Sequence, residues 1–168
     1  ALYAETEESA VLEKAIACGQ HLLAHQISVD GSPKAWKNSE NKPLTGFSHG
    51  AAGIAYALLR LYSATHNCAY KEASVEAIAY ERSVFKTSAA NWPDFRSFTR
   101  QGDRPGLMVS WCHGAPGIGL ARLGSLKILD TEEIRQDLEV ALQTTQKYGL
   151  QRVDHLCCGN FGRIEVLL

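Results

Sequence analysis

The sequence has no dominant charge: 17 lysines and arginines stand against 18 aspartates and glutamates, a formal net charge of −1. A chain so balanced exerts no overall field toward nucleic acid or anionic lipid, and neither is expected as a partner. Its basic residues are scattered in loops, with Lys34, Lys37 and Lys42 in one and Arg96, Arg100 and Arg104 in another, where solvated surface accounts for them. No run approaches the ~20 apolar residues that span a bilayer. The acidic start, Ala1 to Glu8, lacks the basic-then-apolar pattern of an export signal. Cysteine is odd in number at five, with two adjacent, a poor basis for a disulfide framework. A reducing, cytoplasmic setting is therefore expected. Alternating apolar and polar residues are missing too, so no strand is predicted. What is present is 168 residues, 45% hydrophobic and 21% charged, the size and composition of one globular domain.

The periodic segments read as helix, in two kinds. Val11, Leu12, Ala15, Ile16, Leu22 and Leu23 make an apolar stripe, with Glu13, Lys14 and Gln20 opposite. Residues 68–85 are amphipathic through Tyr70, Ala73, Ala77, Ile78 and Tyr80. In a third amphipathic stretch Asp130 and Glu133 suggest a capping box, Ile134, Leu138, Ala141 and Leu142 share a face, and Gly149 supplies the stop. Residues 51–62 and 116–129 differ: they are apolar on nearly every side, Arg122 and Lys127 being the only charges of the second. Helices of that kind are buried all round. Buried and amphipathic helices alternate, as in an inner ring wrapped by an outer one. Between them, loops over 28–45 and 86–109 hold all but one of the prolines and two of the three tryptophans. Loops of that length are usually functional or belong to a bigger assembly.

An internal repeat organises the chain. Gly46-Phe47-Ser48-His49-Gly50-Ala51-Ala52-Gly53-Ile54, Ser110-Trp111-Cys112-His113-Gly114-Ala115-Pro116-Gly117-Ile118 and His155-Leu156-Cys157-Cys158-Gly159-Asn160-Phe161-Gly162-Arg163-Ile164 align without gaps. Each has Gly-x-x-Gly directly after a His or Cys and leads into an apolar helix. Superimposed repeats bring their polar residues to one place. Cys112, Cys157 and Cys158 thus converge as soft ligands suited to zinc with one position left open, against the plainer possibility of buried structural cysteines. Cys18 and Cys68 lie within helical patterns and are expected to be small core residues. His113 is either a further ligand or an acid/base beside the metal. His49, next to Ser48 in a repeat without cysteine, is suited to moving protons. His21, His25, His66 and His155 have no such context.

These motifs, together with Asn91-Trp92-Pro93-Asp94-Phe95-Arg96 and the Pro43-Leu44-Thr45 that precedes the first of them, resemble the LanC-like cyclase domain of class II lanthionine synthetases, the LanM type. The resemblance runs through residues 43–163. It implies an all-α fold, an α/α toroid of seven helical hairpins around a zinc ion, of which residues 1–168 would be a part. It implies addition of peptide cysteine thiols to dehydroalanine or dehydrobutyrine in a dehydrated precursor peptide, closing lanthionine or methyllanthionine rings. On it, Cys112, Cys157 and Cys158 are the zinc ligands, as in a three-cysteine subgroup. His49 matches the histidine that handles the proton of the enolate, and His113 stands where members carry Tyr or His.

Two features depart from the pattern. Some members carry an arginine shortly before the first cysteine; here residues 107–110 are Leu-Met-Val-Ser, and Arg104 is the nearest candidate. The acidic partner of the histidine has no match, and the sequence stops inside what reads as the next inner helix. A longer protein, continuous with a dehydratase domain, is the expectation, and so is low stability for this open arc alone, whose end repeats lack neighbours. The alternative function is a LanC-like module that holds zinc to bind a thiol or glutathione without cyclising peptides. A glycosidase on the same scaffold would need paired acidic residues at the inner helix starts, where His49, Cys112 and Cys157-Cys158 stand instead.

Overall fold

In the computed structural model, which describes residues 2–38 and 42–168, the periodic segments are helices. They are α1 (Leu2–Thr6), α2 (Ser9–His25), α3 (Ala51–Thr65), α4 (Cys68–Val84), α5 (Ala115–Ser125), α6 (Glu132–Tyr148) and α7 (Asn160–Glu165). Part of the 28–45 loop, residues 39–41, and Ala1 lie outside the described residues. Among the described residues only isolated β-bridges occur, such as Asp94 with Gly106, and no helix is long and apolar enough to cross a membrane.

The packing follows from the two kinds of helix. α3 and α5 pack against each other and α5 against α7, which makes these the inner helices; α4 covers α3 and α6 covers α5. α5 is buried nearly throughout, from Ala115 to Gly119 and again at Ala121, Arg122 and Ser125. One apolar cluster joins Leu58, Leu59 and Leu61 of α3 to Tyr70, Ala77 and Ile78 of α4, with the α2 stripe packed on it. A second joins Ala52, Ala115, Ile118, Ala121 and Ala141 around Trp92. Small residues dominate this second cluster, so the helices there approach closely.

Some local expectations shift. Thr131, not Asp130, caps α6 by accepting the Ile134 N–H, because Asp130 is drawn to Arg135, 2.6 Å away. The buried stretch 116–129 is helical only to Ser125. Cys18 and Cys68 are exposed rather than core residues. Cys18 lies one position off the stripe, beside the buried Gly19, and Cys68 opens α4. Gly149 does end α6, at φ 65°. Four of the exposed apolar side chains, Leu156, Phe161, Ile164 and Leu167, lie in or beside α7.

The repeat has a shared backbone construction. At the last glycine of each motif a Cβ would lie 1.8 Å from the Phe47 carbonyl oxygen (Gly53), 1.9 Å from that of Trp111 (Gly117) or 2.0 Å from that of Leu156 (Gly162). Each loop therefore folds back over the first turn of its own helix, six residues on, where no side chain fits. The motifs also interlock. The Gly117 Cβ position is 2.8 Å from the Phe47 Cβ of the preceding motif, and that of Gly162 is 2.7 Å from the Trp111 Cβ. Gly117→Ala is expected to lower stability by about 1–3 kcal/mol, as overpacking does where a backbone carbonyl must move. Urea unfolding of the full-length protein checks this, a wild-type midpoint being the contrary result.

Candidate functional site

All three motifs end at the starts of inner helices, so the polar residues of the repeat come to one end of α3, α5 and α7. Backbone hydrogen bonds tie them in series. The Phe47 and Ser48 N–H groups donate to the Cys112 carbonyl at 3.1 and 3.2 Å, and the Cys112 N–H donates to the Cys157 carbonyl at 3.1 Å. Ser48, Cys112 and Cys157 are thus repeat equivalents, and so are the residues after them, His49, His113 and Cys158.

The three cysteine thiols gather here. Partial burial first, and then the neighbouring Cys112 and Cys158, push the Cys157 thiol up to about 11. Cys112 is buried, with its Sγ 3.2 Å from Ser110 Oγ, whereas Cys157 and Cys158 are exposed. The Cys158 Sγ also meets His155 Nδ1 at 3.8 Å, which gives His155 a context the sequence did not suggest. Among the described residues no group of three His, Cys, Asp or Glu side chains is ready-made to hold a metal ion. The residue types are nevertheless those that suit a soft divalent cation, three cysteines whose thiolates would carry the negative charge.

His113 is buried, and its Nδ1 lies 3.2 Å from the Thr45 carbonyl. A carbonyl only accepts, so Nδ1 carries the proton and the neutral ring keeps its lone pair on Nε2. That Nε2 is buried and has no protein partner. Burial, with the charges of Arg96 and His49 adding to it, holds the imidazole below its ordinary range despite Asp94 and the Thr45 carbonyl. His49 is exposed, its ring centroid 6.4 Å from that of His113. The two imidazoles therefore differ: one buried with its lone pair on Nε2, the other open to solvent.

Two acidic residues that the sequence did not single out support this geometry. Asp94 is buried and grips Arg96 at two points, Nε to Oδ1 at 3.0 Å and Nη2 to Oδ2 at 2.6 Å. Burial pushes its carboxyl up, but Arg96 and the nearby His113 outweigh that and hold it below the usual carboxylate range. Its only sequence signal was membership of the 91–96 segment. Glu81 of α4 is fully buried, takes the N–H groups of Gly46 and Ala52 on Oε1, and meets Arg122 Nη2 on Oε2 at 2.8 Å. It sits in register with Ala77 and Ile78 on the apolar face of α4, and Arg122 was the lone early charge of an apolar helix. Those two misplaced charges were the signal. Arg104, the arginine favoured by sequence position, is exposed and forms backbone bonds with Gln101.

The family model described as "Lanthionine synthetase C-like protein" matches residues 1–168. Among solved structures, one titled "Nisin cyclase" is similar with a TM-score of 0.65 and 22% sequence identity, over 90% of this chain and 43% of that one. The shared fold agrees with an α/α toroid of which this chain spans less than half of the matched length.

Proposed function

The chain belongs to the lanthionine synthetase C-like family, and from that premise we propose that it carries out the cyclase reaction of a class II lanthionine synthetase: addition of peptide cysteine thiols to dehydroalanine or dehydrobutyrine in a dehydrated precursor. The observation that carries this is the gathering of Cys112, Cys157 and Cys158 beside an imidazole whose Nε2 is buried and unpartnered. Cys112, Cys157 and Cys158 would hold a zinc ion, which when bound keeps a substrate thiol as the thiolate nucleophile.

The protein's own groups then move protons. His113 Nε2 accepts the proton that leaves the substrate thiol. Sulfur bonds to the β-carbon and the C=C electron pair shifts toward the α-carbon and its carbonyl oxygen. His49 delivers a proton to the α-carbon. Thiol and alkene combine with no atom lost and no redox change. The precursor peptide, and a dehydratase domain continuous with this chain, belong to the same proposal.

The test is incubation of the full-length protein with its dehydrated precursor. Free thiols should disappear at unchanged peptide mass, and a chelator should stop the loss. Binding of a thiol or glutathione with no ring closure would overturn the proposal in favour of a thiol-binding module.

A further inference from the structure

Cys112, the buried thiol of the site, has a buried hydroxyl against it. Ser110 opens the second motif, two residues before Cys112, and its Oγ lies 3.2 Å from the Cys112 Sγ, where either atom can donate. Ser110 and Cys112 are 2% and 5% exposed, so water does not compete for this contact. Two further bonds hold the hydroxyl. Oγ accepts the His113 N–H at 3.3 Å, and it lies 3.2 Å from the His113 carbonyl, to which it donates. That carbonyl has a second donor, the Ser110 N–H at 3.1 Å. The position recurs along the chain. In the aligned motifs Ser110 corresponds to His155, whose Nδ1 is 3.8 Å from the Cys158 Sγ, and to Gly46, which opens the motif without cysteine. A polar side chain stands here only where the motif carries a thiol.

The hydroxyl has one proton and two acceptors within reach, so it serves one of them at a time. With Cys112 as a thiol, the S–H donates to Oγ and the Ser110 proton goes to the His113 carbonyl. A cysteine that ligates a metal is a thiolate, and its sulfur only accepts. The Ser110 proton then turns to Sγ, and the His113 carbonyl keeps the Ser110 N–H. Neither state leaves a buried group without a partner. A hydrogen bond to an ionised acceptor is also roughly twice as strong as one between neutral groups, so the turn of the hydroxyl favours the thiolate. A hydroxyl that only tied the turn from Ser110 to His113 would have no need of the sulfur, because the Ser110 N–H already closes that turn.

We infer that Ser110 is a positioning residue for the metal site: its hydroxyl donates to the Cys112 sulfur when that sulfur is a ligand, aiming it and drawing on its lone pair. This rests on the reading of Cys112 as a ligand proposed above. Partners one step out from a metal change its affinity by about 10–100-fold. A hydrogen bond to a thiolate also lowers the energy of the sulfur lone pair, so its loss moves sulfur-to-metal charge-transfer absorption to longer wavelength.

The experiment uses the full-length protein, stripped of metal and reloaded with cobalt(II), which takes the place of zinc and absorbs light through its sulfur ligands. Wild type, Ser110→Ala and Ser110→Thr are compared for cobalt affinity by chelator competition, for the position of the charge-transfer band, and for the urea midpoint without metal. Ser110→Ala should bind cobalt about 10–100-fold more weakly, with its band at longer wavelength. Its metal-free midpoint should stay near wild type, since the Ser110 N–H bond is a backbone bond and survives. Ser110→Thr keeps the hydroxyl and should restore both affinity and band. Wild-type affinity or an unmoved band in Ser110→Ala overturns the inference. An alanine variant that unfolds without metal overturns it too, because the hydroxyl then belongs to the fold. So does a folded threonine variant as weak as alanine, because packing then sets the affinity. A wild-type protein that binds no cobalt overturns the inference and the ligand set together; one that binds it but closes no rings overturns the cyclase proposal alone.

Discussion

Replacing Glu81 with leucine should destabilise the protein by about 3–5 kcal/mol, the cost of breaking a buried ion pair from one side. Glu81 is fully buried on α4, and its partner Arg122 is fully buried on α5. Removing the carboxylate leaves Arg122 only Asp137, 3.0 Å from its Nε, and that carboxylate is shared with Arg82. It also strips the Gly46 and Ala52 N–H groups of their acceptor. Each such buried orphan adds about 1–3 kcal/mol. Working against this, burial pushes the Glu81 carboxyl above the usual range while Arg122 and the Gly46 N–H pull it back, so desolvation already consumes part of the pairing energy. The orphaned groups decide the sign. Adding Arg122→Met should recover the charge part of the loss, since an apolar replacement of both partners is often neutral, but not the two backbone donors. Urea unfolding of the full-length protein measures both variants. A Glu81→Leu protein within about 1 kcal/mol of wild type would mean the network carries little of the fold.

The effect should extend to the site. Glu81 holds Gly46, the next residue back is Thr45, and the Thr45 carbonyl fixes the His113 tautomer. The carboxylate on an outer helix thus sets which imidazole nitrogen keeps the lone pair at the inner helix starts.

Cys112→Ala should abolish ring closure and metal retention together. The loss should exceed the ~10–100-fold that removal of a mere outer-shell partner costs, because one of three sulfurs goes. Cys112 is the buried member of the three, with its peptide bonded to both neighbouring motifs, so it is also the one whose position is best determined. Those bonds are backbone bonds and survive the substitution, which keeps the fold as a separate readout. Cys18→Ala and Cys68→Ala serve as controls: both residues are exposed on outer elements, and neither change should alter metal content or ring closure. Metal analysis and the thiol-consumption assay on the four proteins decide the matter. Full metal content in Cys112→Ala would remove this cysteine from the ligand set.

Much of the architecture was legible in the chain itself. Which helices are inner and which outer follows from apolar coverage, a property of local composition; the structure bears out the burial expected of such helices at α5 and only in part at α3, where Ala57 and Arg60 are exposed. The equivalence of the three motifs was legible because glycine recurs wherever a loop folds back on its own helix, and that need is local too. By the same route His49, His113, Cys112, Cys157 and Cys158 could be named as one constellation. Only the tertiary structure decided what acts on them from elsewhere. Asp94 and Arg96 reach the start of α5 from a long loop, and Glu81 reaches the Gly46 turn from α4, contacts 29 to 41 residues apart in the case of Glu81. Such pairings leave no periodic trace. A buried charge is tolerable only where a distant partner meets it, so Glu81 and Arg122 look like errors of pattern until the helices pack. His155 and the tautomer of His113 belong to the same class: each depends on which carbonyl or thiol folding brings within about 4 Å, and no spacing along the chain encodes that distance.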